Sequence, residues 1–251
     1  IVFGTLMGTM YISQQFLQNV LAYSTLASGA SVIPMSVAMV AVAGLSAKLV
    51  VSRGSRFTLL SGYVFFLLGF IVMLLLWKQQ TSYAGVAMAY DLTGLGVGFA
   101  GTSASHALTA SVPVHRAGMA SATADLQRDL GGAVMQSILG VLLTLGYAGA
   151  MASAVAASPE SAQVTDQVAT QLQKSFAGAE AVAEQYPAYA SAIEQAAQQS
   201  FLDGANWAYA AGIVAILIGA AVTWWCFPGK SGEAQLLARY NRQDTSSGDT
   251  T

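Results

Sequence analysis

The sequence predicts an all-α integral membrane protein, a bundle of six transmembrane helices with a long extracytoplasmic loop. Only 9% of its 251 residues are charged and 55% are hydrophobic, whereas soluble globular proteins contain about 25% charged residues. Asp, Glu, Lys and Arg are absent from long stretches such as 1–47, 57–77, 130–159 and 204–229. A soluble protein of this size cannot bury such stretches, but a bilayer core about 30 Å thick requires them.

Six apolar stretches are long enough to cross a bilayer with some tilt. Each is expected to be a helix, because backbone groups cannot remain unpaired in hydrocarbon. The predicted spans are Ile1–Tyr23, Ala30–Val50, Phe57–Trp77, Tyr83–Ser111, Met119–Tyr147 and Gly204–Phe227. The chain thus divides into five helices (1–147), an extracytoplasmic loop (148–203), a last helix (204–228) and a tail (229–251).

Basic residues orient the predicted bundle. If the first helix starts in the cytoplasm, seven basic residues lie on inner segments and two on outer ones. The inner ones are Lys48, Arg53, Arg56, Arg116, Lys230, Arg239 and Arg242, and the outer ones are Lys78 and Lys174. This asymmetry follows the positive-inside rule and predicts a multi-pass protein of the plasma membrane with a cytoplasmic C-terminus.

The loop 148–203 is rich in Ala, Gln and Ser and is acidic. Five acidic residues precede Asp203, against Lys174 alone. Apolar residues recur every four positions on both sides of Pro187, which predicts short amphipathic helices separated by that proline. The segment is either an extracytoplasmic surface hairpin or an element that binds the membrane surface or a partner.

The first span carries a polar stripe. Met7, Tyr11, Gln14 and Gln18 fall on one helical face, with Gln15 beside it. Amides in hydrocarbon are costly unless they meet partners or water, and Met and aromatic side chains adapt to varied apolar ligands. These five residues are candidates for the wall of a hydrated substrate cavity. The alternative is hydrogen bonding between helices of the bundle.

Asp91 lies within the fourth span, about 12 Å from its outer end. A carboxylate at that depth is expensive to keep charged, so it is a candidate proton-coupling residue. Two alternatives remain: an ion pair with another helix, or a position in an outer vestibule.

Other residues have more structural interpretations. Asp125, Arg128 and Asp129 open the fifth span, and their spacing predicts a local ion network with a structural or gating role. The alternative is direct contact with a substrate. The GxGxxG pattern at 96–101 lacks the strand of a dinucleotide-binding fold. Its glycines are instead expected to let helices pack closely. The predicted packing glycines are Gly94, Gly98, Gly131 and Gly132.

Enzymatic chemistry has no support in the sequence. It contains no HExxH motif, phosphate-binding loop or paired-Cys motif, so no enzyme activity, metal or cofactor is predicted. The formal net charge of −2 does not indicate a nucleic acid partner. The chain begins inside an apolar run at Ile1, which predicts that it continues a longer protein.

Three segments resemble one family. The first contains Leu17-Gln18, Tyr23-Ser24, Gly29 and Pro34. The second is Gly44-x3-Lys48-x4-Arg53-Gly54-Ser55-Arg56, and the third runs from Val112-Pro113-x2-Arg116-x-Gly118 through Arg128-x-Leu130-Gly131-Gly132-Ala133. Together they are similar to the C-terminal half of the fourteen-helix drug:proton antiporters of the major facilitator superfamily, the QacA/EmrB-like branch. Ser52 stands where that pattern usually has Asp.

The resemblance implies half of a major facilitator fold, completed by an N-terminal helical bundle of the same chain. It implies a proton-coupled secondary transporter that exports lipophilic or cationic drugs, with Arg53, Arg56 and Arg116 as gating or structural residues. The expected partners are the lipid bilayer, protons and small amphipathic substrates. Two alternatives are a non-transporting membrane scaffold whose outer loop docks a partner, and a major facilitator exporter of a specific metabolite or lipid.

Overall fold

Helices and their connections make up the part of the protein that the computed structural model describes, residues 1–109, 117–161, 164–230 and 232. Side chains 106–109 and 117 lie outside that description. The helices are α1 (Val2–Gln15), a π-helical turn (Phe16–Val20), α2 (Thr25–Ala30), α3 (Ile33–Arg53), α4 (Ser55–Leu76), α5 (Tyr83–Thr109), α6 (Ala117–Ala157), α7 (Asp166–Lys174), α8 (Phe176–Gln185) and α9 (Ala190–Cys226).

Four helical stretches in the described ranges are long and apolar enough to cross a membrane. They are Thr25–Arg53, Ser55–Leu76, Gly118–Ala157 and Ala190–Cys226. The protein is therefore a helical, multi-pass integral membrane protein. α1 and α5 also lie in predicted spans, but α1 has only 14 residues and α5 contains Asp91 and several glycines, which lower its hydropathy. The count of six transmembrane helices stays a prediction.

The first helix ends earlier than the predicted span. Its last turn, Phe16–Val20, is π-helical, and Ala22 has a positive φ of 53°. Ser24 then caps α2 by accepting a hydrogen bond from the Ala27 amide at 3.2 Å. The chain thus turns sharply between the first helix and α2, where the sequence predicts helix through Tyr23.

A single glycine joins α3 to α4. Gly54 has φ 91° and ψ 162°, a conformation that L side chains rarely adopt. Arg53 ends α3 and Arg56 lies in the first turn of α4. The Arg-Gly-Ser-Arg segment is therefore a tight corner between two long helices.

Small residues bring the long helices together. A Cβ on Gly94 of α5 would collide with the carbonyl of Met35 on α3, and one on Gly98 would lie 3.0 Å from the Met39 carbonyl oxygen. α6 and α9 cross in the same way, since a Cβ on Gly146 would lie 2.6 Å from the Cα of Gly204. These backbones approach more closely than any larger residue permits.

An aromatic core fills the space between the π-helical turn, the end of α4, α5 and α9. The Trp77 ring stacks on Phe16 with centroids 4.6 Å apart. It also meets Tyr90 and Tyr209 edge-on, each at 6.0 Å. All four side chains are buried, so this cluster fixes the end of α4 against three other helices.

The segment 148–203 is mostly helical. α6 continues through Ala157 and α9 starts at Ala190, so both helices extend well beyond the predicted span ends at Tyr147 and Gly204. Between them, α7 and α8 form a helical hairpin. Pro187 lies between α8 and α9, and the hairpin itself turns at Ser175, whose hydroxyl caps α8.

Candidate functional site

The five predicted cavity residues line one open depression of about 480 Å³ on the surface of the bundle. Three other residues complete it: Met10 and Asn19 from the same stretch, and Gln136 from α6. The lining is thus a mixture of thioether, aromatic and amide groups. This surface is called the amide depression below.

Packing of α1 against α6 positions the amide depression. A Cβ on Gly132 would lie 3.2 Å from Cγ of Met7, and one on Gly140 would lie 3.4 Å from Cε1 of Tyr11. The two glycines leave room for these side chains beside α6. Met7 and Tyr11 remain 43% and 42% exposed, so they face the open side of the depression.

The side-chain amides of the depression differ in whether they are hydrogen-bonded to the protein. The Ser28 hydroxyl on α2 donates to Oε1 of Gln14 at 2.6 Å, and the Gln14 amide donates to the Ser28 carbonyl at 3.5 Å. Gln14 therefore makes the hydrogen bond between helices that was the alternative interpretation. The side-chain amides of Gln15 and Gln18 make no hydrogen bond within the described residues, which leaves them available to water or a ligand.

Gln136 is a lining residue that sequence reasoning missed. It lies in α6, inside a stretch without charged residues, where a lone amide is as anomalous as those of α1. A search for isolated amides in apolar spans finds it.

Asp91 is exposed on α5, away from the amide depression, whose lining contains no acidic residue. Its carboxylate forms no ion pair or hydrogen bond within the described part of the chain. A carboxylate directed into lipid is costly. Asp91 therefore needs water or a polar surface outside these residues.

The cluster at the start of α6 is joined to α1. The Arg128 guanidinium lies 3.3 Å from Oδ1 of Asp125, the pair that the i,i+3 spacing predicts. The same guanidinium lies 4.5 Å from the centre of the Phe3 ring. Asp129 is exposed and forms no ion pair among the described residues. Arg128 thus connects the beginning of α1 to α6 at a point about three turns after the start of α6.

Basic residues also surround the α3–α4 corner. Arg53 lies over the Phe57 ring at 4.9 Å, and Arg56 lies over the Trp224 ring at 4.7 Å. The Lys230 ammonium donates to the Ser52 carbonyl at 2.6 Å. The corner is therefore attached to the end of α9. Arg116 lies outside the described residues.

The remaining predicted packing glycines differ from each other. A Cβ on Gly131 would meet nothing within 4 Å, whereas Gly132 faces Met7. Gly131 contributes its carbonyl instead, because Gly4 of α1 packs directly against it. Gly4 is thus the residue that needs to be small at this crossing.

Two named proteins are similar to this chain. It is 30% identical over 218 residues to the multidrug efflux pump LfrA of Mycolicibacterium smegmatis, covering 86% of this chain and 40% of the relative. It is 33% identical over 142 residues to the multidrug resistance protein Stp of Mycobacterium tuberculosis, in strains CDC 1551 and H37Rv, covering 57% of this chain and 26% of the relative. Its relatives include multidrug efflux pumps.

No family model matches the chain. The matched part spans less than half the length of either relative. Among the described residues, no group of three or more His, Cys, Asp or Glu side chains is arranged to hold a metal ion.

Proposed function

We propose that this chain is part of a proton-coupled secondary transporter of the major facilitator superfamily that exports lipophilic and cationic small molecules. The amide depression carries the proposal. It offers an adaptable, partly apolar wall with at least two amides that make no hydrogen bond within the described residues. Such a wall binds ligands by shape and dispersion, and the amides hold water or a ligand's polar groups.

The similarity to LfrA and Stp supports this proposal, because both names describe multidrug resistance or efflux. The chain spans less than half of either relative, so an N-terminal helical bundle of the same chain would supply the opposite cavity wall. Asp91 fits that arrangement. Its carboxylate is exposed on α5 without a partner in the described residues, as a proton carrier at the boundary between two bundles requires.

In this proposal the protein lies in the plasma membrane with its C-terminus in the cytoplasm, and the α7–α8 hairpin is extracytoplasmic. The basic corner at Arg53 and Arg56 then lies at the inner surface. The two bundles would alternate between an inward-facing and an outward-facing orientation. Substrate would bind in one orientation and protons in the other, so the proton gradient would drive export.

Transport by the full-length protein tests the proposal. Inside-out vesicles are prepared from cells that make the protein, and the vesicle lumen is made more acidic than the medium. Uptake of tetraphenylphosphonium into the vesicles is then measured. We expect uptake that a protonophore abolishes and that vesicles without the protein lack. No gradient-dependent uptake of this or any other lipophilic compound, cationic or neutral, would contradict the proposal.

A loop-replacement variant addresses the scaffold alternative. Residues 150–200 are replaced by a short flexible linker in the full-length protein. Transport that persists while a membrane complex is lost assigns partner docking to the hairpin alone. Absence of transport in both forms favours the scaffold.

A further inference from the structure

A second cavity lies where α6, α7, α8 and α9 meet. It has a volume of about 330 Å³, within the range of small-molecule sites. It shares no lining residue with the amide depression. This cavity is called the hairpin pocket below.

Apolar side chains from four helices form the floor and walls of the hairpin pocket. Met151 of α6, Leu172 of α7 and Val182 of α8 are buried at its base. Val168 and Ile193 line its sides. Binding of a ligand here therefore removes apolar surface from water. This makes a favourable contribution to the binding free energy but does not select one apolar ligand over another.

One acidic group lies at the pocket. The Ser158 hydroxyl donates to Oε2 of Glu160 at 3.1 Å and accepts from the Glu160 amide at 3.3 Å. These two bonds hold the turn after α6 and position the carboxylate. No basic side chain within the described ranges pairs with it, so its charge remains available to a ligand.

Two aromatic rings complete the lining. Tyr186 and Tyr189, from the connection between α8 and α9, are 46% and 43% exposed. Tyrosine rings and a carboxylate that line the same pocket favour a cation, because ring faces and carboxylates both carry negative potential. The surrounding segment has the same sign, with five acidic residues against Lys174 before Asp203.

We propose that the hairpin pocket is a second binding site, separate from the amide depression, for a lipophilic monocation. The apolar walls bind the body of the ligand. Glu160 and the two tyrosines select its positive charge. An acyl chain or a neutral hydrophobic compound would use the same walls without that selection, so charge preference distinguishes the occupants.

Protection of a cysteine tests this proposal. Full-length protein with all other cysteines replaced, Cys226 included, receives Ala192→Cys, which lines the pocket. It is placed in lipid nanodiscs, where both faces are accessible, and the rate of maleimide labelling is measured. The probes are tetraphenylphosphonium and the size-matched anion tetraphenylborate. Gln167→Cys on α7, exposed and outside the pocket, is the matched control.

We expect tetraphenylphosphonium to slow labelling of Ala192→Cys several-fold, with no effect at Gln167→Cys and no protection by tetraphenylborate. Glu160→Gln should raise the half-protecting concentration about three- to fivefold, as expected for a partly exposed charge pair. If Ala192→Cys does not fold, Ala196→Cys reports on the same wall.

Equal protection by both ions, or none by the cation, overturns the proposal, as does an unchanged half-protecting concentration in Glu160→Gln. The readout is binding at a named position and needs no proton gradient. A protein that shows protection but no transport contradicts the proposed function and leaves the hairpin pocket in place. A protein that transports but shows no protection contradicts the hairpin pocket proposal and leaves the proposed function in place.

Discussion

The guanidinium of Arg56 lies over the ring of Trp224, 4.7 Å from its centroid. This contact joins the first turn of α4 to the last turn of α9, residues far apart in the sequence. The Lys230 hydrogen bond to the Ser52 carbonyl lies at the same junction. Two cationic side chains thus hold three helix ends together, and neither has an acidic partner among the described residues.

Loss of the Trp224 ring should weaken that junction. Trp224→Leu removes a partly exposed cation–π contact worth about 0.5–1 kcal/mol. The apparent Tm of the full-length protein should therefore fall by about 1 °C, because a large protein unfolds with a large entropy change. The matched control is Trp225→Leu, because Trp225 is 82% exposed and its ring makes no contact of this kind in the described residues. Equal loss in both variants would show that the Arg56 contact contributes nothing.

Neutralisation of Asp91 should uncouple transport from protons. Asp91→Asn keeps the side-chain shape but cannot bind and release a proton, so gradient-driven efflux should be lost while insertion and expression stay normal. Tetraphenylphosphonium uptake into inside-out vesicles is the measurement. Asp166→Asn, an exposed position on α7, should transport normally. If Asp91→Asn shows undiminished efflux at several pH values, Asp91 is not the proton-coupling residue.

The unpaired amides of the amide depression should set substrate preference. Gln15→Leu combined with Gln18→Leu makes the wall more apolar, so ligands with polar groups should lose affinity by about tenfold, whereas purely apolar cations should not. Half-inhibitory concentrations of a substrate panel in cells report this ratio. Gln195→Leu, exposed on α9, is the control. A uniform change across the panel would indicate a loss of fold rather than of selectivity.

Helix approach at Gly94 should tolerate no side chain. Gly94→Ala places a methyl group against the Met35 backbone, and overpacking of this kind costs about 1–3 kcal/mol. The matched change Gly149→Ala has open space around it and should stabilise its helix by about 0.5–1 kcal/mol. Thermal unfolding in detergent compares the two. A Gly94→Ala protein as stable as Gly149→Ala would contradict the close α3–α5 contact.

The stability of the α7–α8 hairpin should depend on the hydroxyl of Tyr147 in α6. Tyr147 donates to the carbonyl oxygens of Leu172 and Ser175, at 3.1 and 3.2 Å. Tyr147→Phe removes these bonds at a cost of about 1 kcal/mol, so amide hydrogen exchange at the α7–α8 turn should accelerate. Tyr83→Phe, at a 47% exposed tyrosine, should leave exchange there unchanged. Unaltered exchange in Tyr147→Phe means that other contacts anchor the hairpin.

The sequence predicts the long helices because uncharged apolar stretches have few alternatives in a bilayer. It also brings the five depression residues together, since helical spacing places four of them on one face and Gln15 beside it. It does not predict the π-helical turn at Phe16–Val20, or that Phe16 of this turn stacks against Trp77. Nor does the sequence distinguish the hydrogen-bonded amide of Gln14 from those of Gln15 and Gln18. That difference arises only in the folded structure, where Ser28 lies next to Gln14.

The extended ends of α6 and α9 were missed for a different reason. Residues 190–203 are rich in Ala, Gln and Ser and contain Glu194 and Asp203, so hydropathy marks them as loop. Residues 148–157 are mostly Ala and contain no charge, but the predicted fifth span was already long enough to cross a bilayer at Tyr147. Ala and Gln are good helix formers, and packing across Gly146 and Gly204 continues both helices. The hairpin pocket was missed with them, since its walls come from residues that hydropathy assigns to a loop.

Two unbroken rods of 41 and 37 residues measure about 60 and 55 Å, roughly twice the hydrocarbon thickness of about 30 Å. They cross at the Gly146–Gly204 contact, which is much nearer the hairpin ends of both helices than their opposite ends. The arms on the hairpin side measure about 17 and 21 Å, against about 44 and 33 Å on the other side. A tilt of about 10° about this contact therefore moves the opposite ends by about 6–8 Å but the hairpin ends by only about 3–4 Å, so the hairpin pocket is partly shielded from rearrangements of the longer arms.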